Sequence, residues 1–511
     1  MLVAFALVST QFGFAQTNPP EKTRTLSLRE CILMALTRNL DLEIVRMSVD
    51  VARFNLNGSY GAYVPTFSFS ARHDFVSQPP DFDPKKANFD FPYELTSDSA
   101  GPALNGLLPI GLSYDLNAVA GEKKARTDFR LNPDAAANFP PNGIRETNNF
   151  FADAGLSLQQ HLLKDFWIDK YRQAILLRRK DLSISEQTLQ FEVMKTVLAV
   201  ELSYYDLISA REQVRVQQLA LELKEQFVAE TKRRVEVGDL PPLDSDQAES
   251  QLETTRTSLT AAREAYATRQ NTLKRLLSDD FMGWAEVELQ PGENLVALKM
   301  EVNRSESFLN ALKNRPDLLQ ARIAVERSDV EVRFRKNQLF PNLDVIGHYG
   351  GLGIDESLGS AVSDSLHFRN PEYFYGAVVS FPLTNLRERN DYQATKSLRQ
   401  IAVLQLRKAE QEVLLQVADY VNRVESRFTQ TGSTRKARTY AEAALGAEQK
   451  KLKNGLSTSF FVLQLQETLT AARTAEVLAL ADYNKALAQL SFAEGTTLSQ
   501  RNVRLEGKTP E

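Results

Sequence analysis

The chain has 511 residues, enough for several domains, and it carries a formal net charge of −4. A slightly acidic chain is a poor partner for nucleic acid, so nucleic-acid binding is not expected. The single cysteine, Cys31, excludes an intrachain disulfide, and the four histidines are too far apart for a metal site. No catalytic group of residues is present either, so the sequence predicts no enzyme activity, cofactor or metal.

The N-terminal residues 1–15 form an apolar run that is too short to span a bilayer. The run ends in the small-x-small pattern Gly13-Phe14-Ala15, which is typical of a signal-peptide cleavage site. No other stretch is long and apolar enough for a transmembrane helix. A membrane protein is not excluded by this, because β-barrels leave only weak alternating signals.

One segment occurs twice at a fixed offset. Ala35-Leu36, Asp41-Leu42 and Pro65 return as Ala311-Leu312, Asp317-Leu318 and Pro341. Two helical turns repeat as well, since Gly238, Leu252 and Tyr266 return as Gly455, Leu469 and Tyr483. A repeat of this complexity indicates that the chain consists of two copies of one helix-and-strand unit.

The first copy covers residues 16–279. Apolar periodicity predicts a starting helix, strands over 63–76 and 151–158, a long helix over 168–237 and a helix over 244–277. Residues 77–105 are rich in Pro, Asp, Gly and Ser and are predicted to be a loop. Segment 108–118 also alternates, but a chain that returns to its helical side needs an even number of crossings. We therefore assign this segment to an extracellular β-extension.

The second copy covers residues 304–493. It is predicted to hold a helix over 317–338, strands over 342–350 and 373–381, a long helix over 388–453 and a helix over 460–492. At 1.5 Å per residue the long helix of the first copy spans ~105 Å and that of the second copy spans ~99 Å. The two shorter helices of each copy together span ~83 to ~84 Å. The shorter helices can then stack end to end beside the long one. The linker 280–303 fills the remaining gap as an equatorial belt, and residues 494–511 form a C-terminal tail.

The predicted strands indicate the assembly. Two strands per copy make four per chain, and four strands cannot close a barrel. Because an open sheet edge cannot exist in lipid, the strands must pair between chains. Three chains would supply twelve strands, which is an allowed barrel. The fold class predicted is mainly α with a β-barrel part, built as a homotrimer.

These features together resemble the TolC-like outer-membrane efflux protein family over about residues 26–500. The residues that carry the resemblance are Ala311-Leu312, Arg315-Pro316-Asp317-Leu318, Pro341, Ser380-Phe381-Pro382-Leu383, and the turns Val237-Gly238 and Asn454-Gly455-Leu456. The resemblance implies a homotrimeric twelve-stranded β-barrel in the cell outer membrane that continues into a long periplasmic α-helical barrel. It also implies a passive exit duct of a tripartite efflux or type I secretion system, in contact with outer-membrane lipid, a periplasmic adaptor and an inner-membrane pump.

The two helical turns are the expected docking points for the adaptor. Their residues are Val237, Gly238 and Leu240 in the first turn, and Asn454, Gly455 and Leu456 in the second. A plain helix end without a partner is the alternative reading of both. The first turn departs from the family pattern, since Asp239 stands where the second turn has Leu456.

The family commonly narrows its entrance with two aspartates three residues apart. Counted from Gly455, the matching positions here are Phe461 and Gln464, and neither carries charge. Three copies of Phe461 would form an apolar constriction that gates by dewetting. Alternatively Phe461 packs between helices and Gln464 lines the pore. Both readings predict that multivalent cations do not block the channel tightly.

The junctions between strands and helices are expected at Pro65, Pro341 and Pro382, with His161 standing where the second copy has Pro382. Aromatic residues flank these junctions, and they form either a membrane-interface belt or ordinary packing: Tyr63, Trp167, Tyr171 and Phe340. A periplasmic coiled-coil scaffold without channel activity is the alternative function. It would explain the helices but not strands with one polar and one apolar face.

Overall fold

The structure is a computed structural model that describes residues 23–80, 82–83, 88–89, 92–130 and 143–503. The predicted signal peptide and residues 504–511 of the predicted tail lie outside the described residues. The chain forms two compact units. The helical unit comprises Met1–Val49, Ser185–Ala321 and Leu406–Glu511, and the sheet unit comprises Asp50–Ile184 and Arg322–Gln405. Each unit takes segments from both copies, so the copies are not separate compact units.

The helices are, in chain order, α1 (Leu28–Arg38), α2 (Leu40–Ser59), α3 (Lys170–Glu236), α4 (Pro242–Leu277), α5 (Phe281–Trp284), α6 (Arg304–Asn314), α7 (Pro316–Asn337), α8 (Leu358–Leu366), α9 (Leu386–Lys453), α10 (Ser459–Ala493) and α11 (Thr497–Gln500). A 3₁₀ turn, Tyr60–Tyr63, follows α2. The two long helices, α3 and α9, have 67 and 68 residues. Within the described residues no helix is both long and apolar enough to cross a membrane.

The start of α1 is set by a capping box. The Ser27 hydroxyl accepts a hydrogen bond from the Glu30 amide, and the Glu30 carboxylate accepts one from the Ser27 amide at 2.8 Å. These two bonds satisfy amides that a helix start otherwise leaves unpaired. The first turn therefore holds α1 in place, and its buried face is set by Cys31, Ile32 and Ala35.

The segment predicted as a linker has structure of its own. It contains α5 and the strand β8 (Glu288–Pro291), which pairs in parallel with β1 (Thr23–Leu26). The Tyr204 hydroxyl donates to the Leu26 carbonyl at 3.1 Å within a core shared with α1, α3 and α4. The segment thus closes part of the helical unit against the start of the described chain.

The sheet unit contains one six-stranded antiparallel sheet with the order β10-β9-β7-β6-β5-β2. Its strands are β2 (Thr66–Gln78), β5 (Tyr93–Leu107), β6 (Leu112–Asp128), β7 (Ile144–His161), β9 (Asn342–Asp355) and β10 (Pro371–Ser380). A separate pair is formed by β3 (Phe82–Asp83) and β4 (Asn88–Phe89). The β7–β9 pairing joins the first copy to the second.

Two predictions about the first copy are wrong. Residues 77–105 are not all loop, because β5 occupies most of the second half of that range. Segment 108–118 is not an outlying extension, because a turn over 108–111 leads directly into β6 of the same sheet. The hairpin of β5 and β6 adds two crossings and keeps their number even. The chain has six strands in its sheet rather than four, so the total of twelve for three chains no longer follows.

The physical reason lies in the composition of β5. Gly101 and Pro102 are normally taken as strand breakers. In the sheet, however, a Cβ on Gly101 would lie 1.9 Å from the Ala118 carbonyl oxygen, so the close approach of β6 requires glycine there. The sequence predicts a loop at Gly101, but in the structure this glycine leaves the space that the backbone of β6 occupies.

The two faces of the sheet differ along its whole width. One row, which we place on the apolar face, runs through Phe67, Leu104, Leu116, Leu156, Tyr349 and Tyr373. The next row, on the polar face, runs through Ser68, Ala103, Asn117, Gly155, Gly350 and Glu372. Residues 351–372, which connect the two predicted strands of the second copy, contain helix α8. It packs so closely on β9 that a Cβ on Gly353 would meet the Ala361 carbonyl oxygen at 1.8 Å.

Candidate functional site

The turn between α3 and α4 and the turn between α9 and α10 have the same backbone geometry. Gly238 and Gly455 adopt φ values of +77° and +72°, a region that favours glycine. In the second turn the Gly455 amide donates to the Leu452 carbonyl at 3.1 Å, and the Leu456 amide donates to the Lys451 carbonyl at 2.9 Å. The first turn has the equivalent pair of bonds. Both are Schellman motifs, which end a helix and reverse the chain.

The side chains at these two turns are largely open. Val237 is 75% exposed and Leu456 is 77% exposed. Leu240 is half-buried, whereas Asn454 and both glycines are exposed, and a Cβ on either glycine would meet nothing within 4 Å. Exposed apolar side chains beside an open backbone turn present a surface that a partner can cover. We call the residues Val237, Gly238, Leu240, Asn454, Gly455 and Leu456 the hairpin tips.

One core holds both hairpins behind their tips. It includes Phe227 of α3, Leu252 of α4, Leu452 of α9 and Leu463 of α10. Since each of these side chains is less than one tenth exposed, the four helices are packed together there. The tips are therefore held on a shared support rather than as two independent loops.

Polar contacts secure the turn residues. The Ser457 hydroxyl donates to the Glu448 carboxylate at 2.5 Å, and the Lys451 ammonium lies 3.0 Å from the same carboxylate. The hydrogen bond from Ser457 and then that from Lys451 lower the pKa of Glu448. In the first turn, Arg234 donates to Asp239 at 2.7 Å. Asp239, the residue that departs from the family pattern, is thus bound within its own turn.

Phe461 and Gln464 lie in the first turns of α10, and both are exposed in the chain. Their neighbours Val462 and Leu463 are buried and face the shared core. Phe461 makes an edge-to-face contact with Phe460, with ring centroids 5.7 Å apart. The predicted constriction residues therefore point away from the core of their own chain, and their position in a pore stays a prediction.

The three prolines occupy the ends of strands. Pro65 stands between the 3₁₀ turn and β2, Pro341 between α7 and β9, and Pro382 follows β10. Proline lacks an amide donor and suits positions where a ladder begins or ends. They mark where each chain segment changes from one regular structure to the other.

His161 occupies the remaining strand end and makes a contact that sequence reasoning missed. Its Nδ1 lies 2.5 Å from the carboxylate of Asp344, which is 5% exposed. Gln159 and Asn342 donate to the other oxygen of Asp344 at 3.1 and 2.9 Å. A buried carboxylate with several donors closes the seam between β7 and β9. The contact could not be predicted from local sequence, because His161 and Asp344 are 183 residues apart.

The aromatic residues near the junctions surround an apolar cavity of about 600 Å³ in the sheet unit. Tyr63, Trp167 and Phe340 line it together with Ile175 and Leu176. Trp167 is nevertheless 79% exposed. The membrane-interface belt stays a prediction, and the cavity shows that part of the set packs around a common space.

The helical unit buries charged groups that the sequence did not single out. Lys224 is 4% exposed, and burial lowers its pKa. Glu201 is 1% exposed and binds Arg501, and burial raises the pKa of the Glu201 carboxyl. Periodicity alone assigns charged residues to an exposed face, so such positions are not recognised before the packing is known. Within the described part of the chain, no group of three or more acidic, histidine or cysteine residues is placed to hold a metal.

Comparison with known proteins identifies the family. The sequence profile of the outer membrane efflux protein family matches residues 144–278 and 309–496. The pyoverdine export outer membrane protein OpmQ of Pseudomonas aeruginosa is 24% identical over 329 residues, 63% of this chain and 65% of OpmQ, so just under two thirds of that relative is matched. The outer membrane protein TolC of Escherichia coli is 23% identical over 379 residues, 71% of this chain and 73% of TolC.

Solved structures show the same fold. The outer membrane protein VceC of Vibrio cholerae has a TM-score of 0.64 at 18% identity, covering 92% of this chain and 96% of VceC. The outer-membrane channel OprN has a TM-score of 0.66 at 15% identity, covering 94% of each chain. Since the family profile covers more than half of the sequence, the chain belongs to the outer membrane efflux protein family, a family of outer-membrane channel and efflux proteins rather than enzymes.

Proposed function

We propose that this protein is the outer-membrane exit duct of a tripartite efflux or type I secretion system. It would act as a passive conduit for substrates delivered by an inner-membrane pump through a periplasmic adaptor. The observation that carries the proposal is the two-faced sheet, which has an apolar row and a polar row running across all six strands. A wall between lipid and a water-filled lumen needs this arrangement. A periplasmic scaffold would have no use for the apolar face.

The duct is proposed to be a homotrimer, with strands in the outer membrane and helices that form an α-helical barrel in the periplasm. The edge strands β2 and β10 have 13 and 10 residues, and each has one side without a partner strand among the described residues. They run in opposite directions, since every strand pair in the sheet between them is antiparallel. Pairing β10 of one copy with β2 of the next is therefore antiparallel as well, and it removes the edges that lipid does not tolerate.

The assembly is tested by its mass in mild detergent. Three copies are expected in every particle, because the described part of a single chain leaves both edges of its sheet unpaired. Circular dichroism on the same sample checks that the helices are intact. A well-behaved monomer with native helicity would contradict the proposed duct.

The hairpin tips are proposed as the docking surface for the adaptor. Leu456 is 77% exposed and makes little contribution to the fold, so its apolar side chain is available to a partner. Truncating it to alanine removes three carbons, or about 2 kcal/mol of apolar burial and about thirtyfold in adaptor affinity. Lys453→Ala truncates a neighbouring exposed side chain and serves as the matched control.

The docking measurement is an affinity titration of adaptor against purified trimers of both variants. Leu456→Ala should weaken binding and reduce export, whereas Lys453→Ala should change neither by more than a fewfold. Trimer content in the membrane should be equal for the two. Equal affinities for both variants would exclude Leu456 from the docking surface.

Phe461 and Gln464 are proposed to line the closed entrance of the duct. Neither side chain is charged, so a ring of three copies provides no carboxylates for a cation. In single-channel recordings, multivalent cations added on the periplasmic side should fail to block the current tightly. Strong block that disappears on replacing either residue would show that this assignment is wrong.

A further inference from the structure

We propose that each chain contributes six strands to the membrane wall, so three chains form an eighteen-stranded barrel. The proposal rests on the trimeric duct described above and concerns the width of its outer-membrane part. Its starting point is the hairpin of β5 and β6. This hairpin lies between β2 and β7 in the sheet, where a four-stranded chain would pair β2 with β7 directly.

The hairpin is paired along its full length on both sides. All 13 residues of β2 have a partner in β5, from Thr66 opposite Asn105 to Gln78 opposite Tyr93. On the other side, β6 is paired with β7 from Leu112 opposite Gln160 to Asp128 opposite Ile144. An accessory hairpin lying outside the wall would leave β2 and β7 free to meet. Here neither has an edge available to the other.

The faces of the hairpin continue the faces of its neighbours. Leu104 and Leu116 stand in the apolar row between Phe67 and Leu156. One residue further on, Asn117 stands in the polar row. A shift of one residue would reverse both faces, so the register is specified along each strand. The hairpin therefore has the lipid-and-lumen pattern required of the wall itself.

Both strands are long enough to cross the bilayer. They have 15 and 17 residues, whereas a tilted transmembrane strand needs about 9–11. The turn between them lies at the same end of the sheet as the strand–helix junctions. A Cβ on Gly111 of this turn would be 2.6 Å from the guanidinium of Arg172, near the start of α3. Each strand of the hairpin thus runs from that end of the sheet to the other.

Two additional strands per chain enlarge the barrel. With strands ~4.8 Å apart and tilted by ~40°, eighteen strands give a backbone diameter of ~36 Å, against ~24 Å for twelve. Barrels of 16–18 strands leave an aqueous channel. The rows that would face this channel include the polar, uncharged Ser68 and Asn117. They also include the carboxylates of Asp115, Asp153 and Glu372. The exit fits bulky hydrated cargo.

Single-cysteine labelling tests whether the hairpin is in the wall. In a Cys31→Ala background, Leu116→Cys and Asn117→Cys place thiols on the two faces of β6. Leu156→Cys and its neighbour on β7, Ser157→Cys, are matched controls. A water-soluble maleimide applied to trimers in lipid vesicles should label Asn117→Cys at least tenfold faster than Leu116→Cys, as it does the β7 pair. Equal labelling of both β6 positions, with alternation retained on β7, would place the hairpin outside the wall and overturn the proposal.

A deletion provides the second test. Gln78, Tyr93, Thr127 and Arg145 are level across β2, β5, β6 and β7. Replacing residues 79–144 by Asn-Gly therefore joins β2 to β7 in register and keeps Phe67 level with Leu156. Transverse sections by electron cryomicroscopy should show a barrel of ~36 Å for the natural chain and ~24 Å for the deletion variant.

The two levels of the proposal fail differently. Loss of the trimer in the natural chain would refute the duct as a whole. A natural trimer with a barrel of ~24 Å would refute only the eighteen strands. If the deletion variant does not assemble, the labelling pattern and the diameter of the natural trimer decide the strand number.

Discussion

The substitution Gly455→Ala tests the conformation of the second hairpin tip. Gly455 has φ +72° in the Schellman motif, and an alanine there costs about 1–2 kcal/mol. No steric penalty is added, because a Cβ would meet nothing within 4 Å. Alanine also restricts the unfolded chain, which returns about 0.4–1 kcal/mol. The expected net effect is a local destabilisation of about 1 kcal/mol.

Gly446 is the matched control on the same helix. It lies within α9, has no positive φ, and a Cβ on it would also meet nothing within 4 Å. In a helix interior alanine is favoured over glycine by about 1 kcal/mol. The same chemical change should therefore stabilise α9 at Gly446 and destabilise its end at Gly455, a difference of about 2 kcal/mol.

Hydrogen exchange by mass spectrometry measures both effects locally. The reporting amides of the tip are those of Gly455 and Leu456, which donate to Leu452 and Lys451. A change of about 1 kcal/mol corresponds to about fivefold in exchange rate when opening is a rapid pre-equilibrium and chemical exchange of the open state is rate-limiting. Gly455→Ala should speed exchange at the tip by that factor, and Gly446→Ala should slow exchange in α9. A change of the same sign for both variants would refute the conformational argument.

Three further outcomes are expected. Lys224→Met should raise the stability of the protein by about 2 kcal/mol at pH 7, since it removes a buried charge whose partner Glu467 is 56% exposed. Because burial lowers the pKa of Lys224, the free energy of unfolding of the natural protein rises with pH between that lowered pKa and the ordinary lysine value of 10.5. Melts by circular dichroism should therefore show that the stability gained by Lys224→Met shrinks over this pH range. Arg315→Lys should cost about 2 kcal/mol in the same melts, because lysine cannot keep both bonds of 2.6 and 3.0 Å to Asp317. Cys31 is fully buried and its pKa is raised to about 12, so iodoacetamide at pH 8 should modify it only after denaturation.

The helices were predictable because their signals are long and locally bounded. The long helix predicted over 168–237 is Lys170–Glu236, and that predicted over 388–453 is Leu386–Lys453. Sustained apolar periodicity, ended by glycine and proline, specifies such elements without knowledge of their partners. The strands of the second copy begin within two residues of their predicted starts for the same reason, since Pro341 bounds one of them.

Strand β5 was missed because its signals depend on a neighbour, whereas the alternation at the start of β6 was recognised but placed outside the sheet. Gly101 is required by the approach of the Ala118 carbonyl, but in the sequence it reads as a turn residue. The same limit applies to the candidate sites. Exposure of Leu456 followed from its place after a helix-ending glycine, whereas burial of Lys224 depends on helices that are distant in sequence.

The seam between β7 and β9 constrains the order in which the chain can acquire structure. The contact of His161 with Asp344 spans 183 residues, whereas His73 and Asp98, across β2 and β5, are only 25 apart. Closing a long loop costs entropy before the contacts it brings together form. The strands that are close in sequence, β2 and β5, can therefore pair before β7 pairs with β9. Until β9 pairs with it, one edge of β7 has unpaired backbone groups and is prone to wrong pairing. A slow final folding phase should therefore belong to the pairing of β7 with β9.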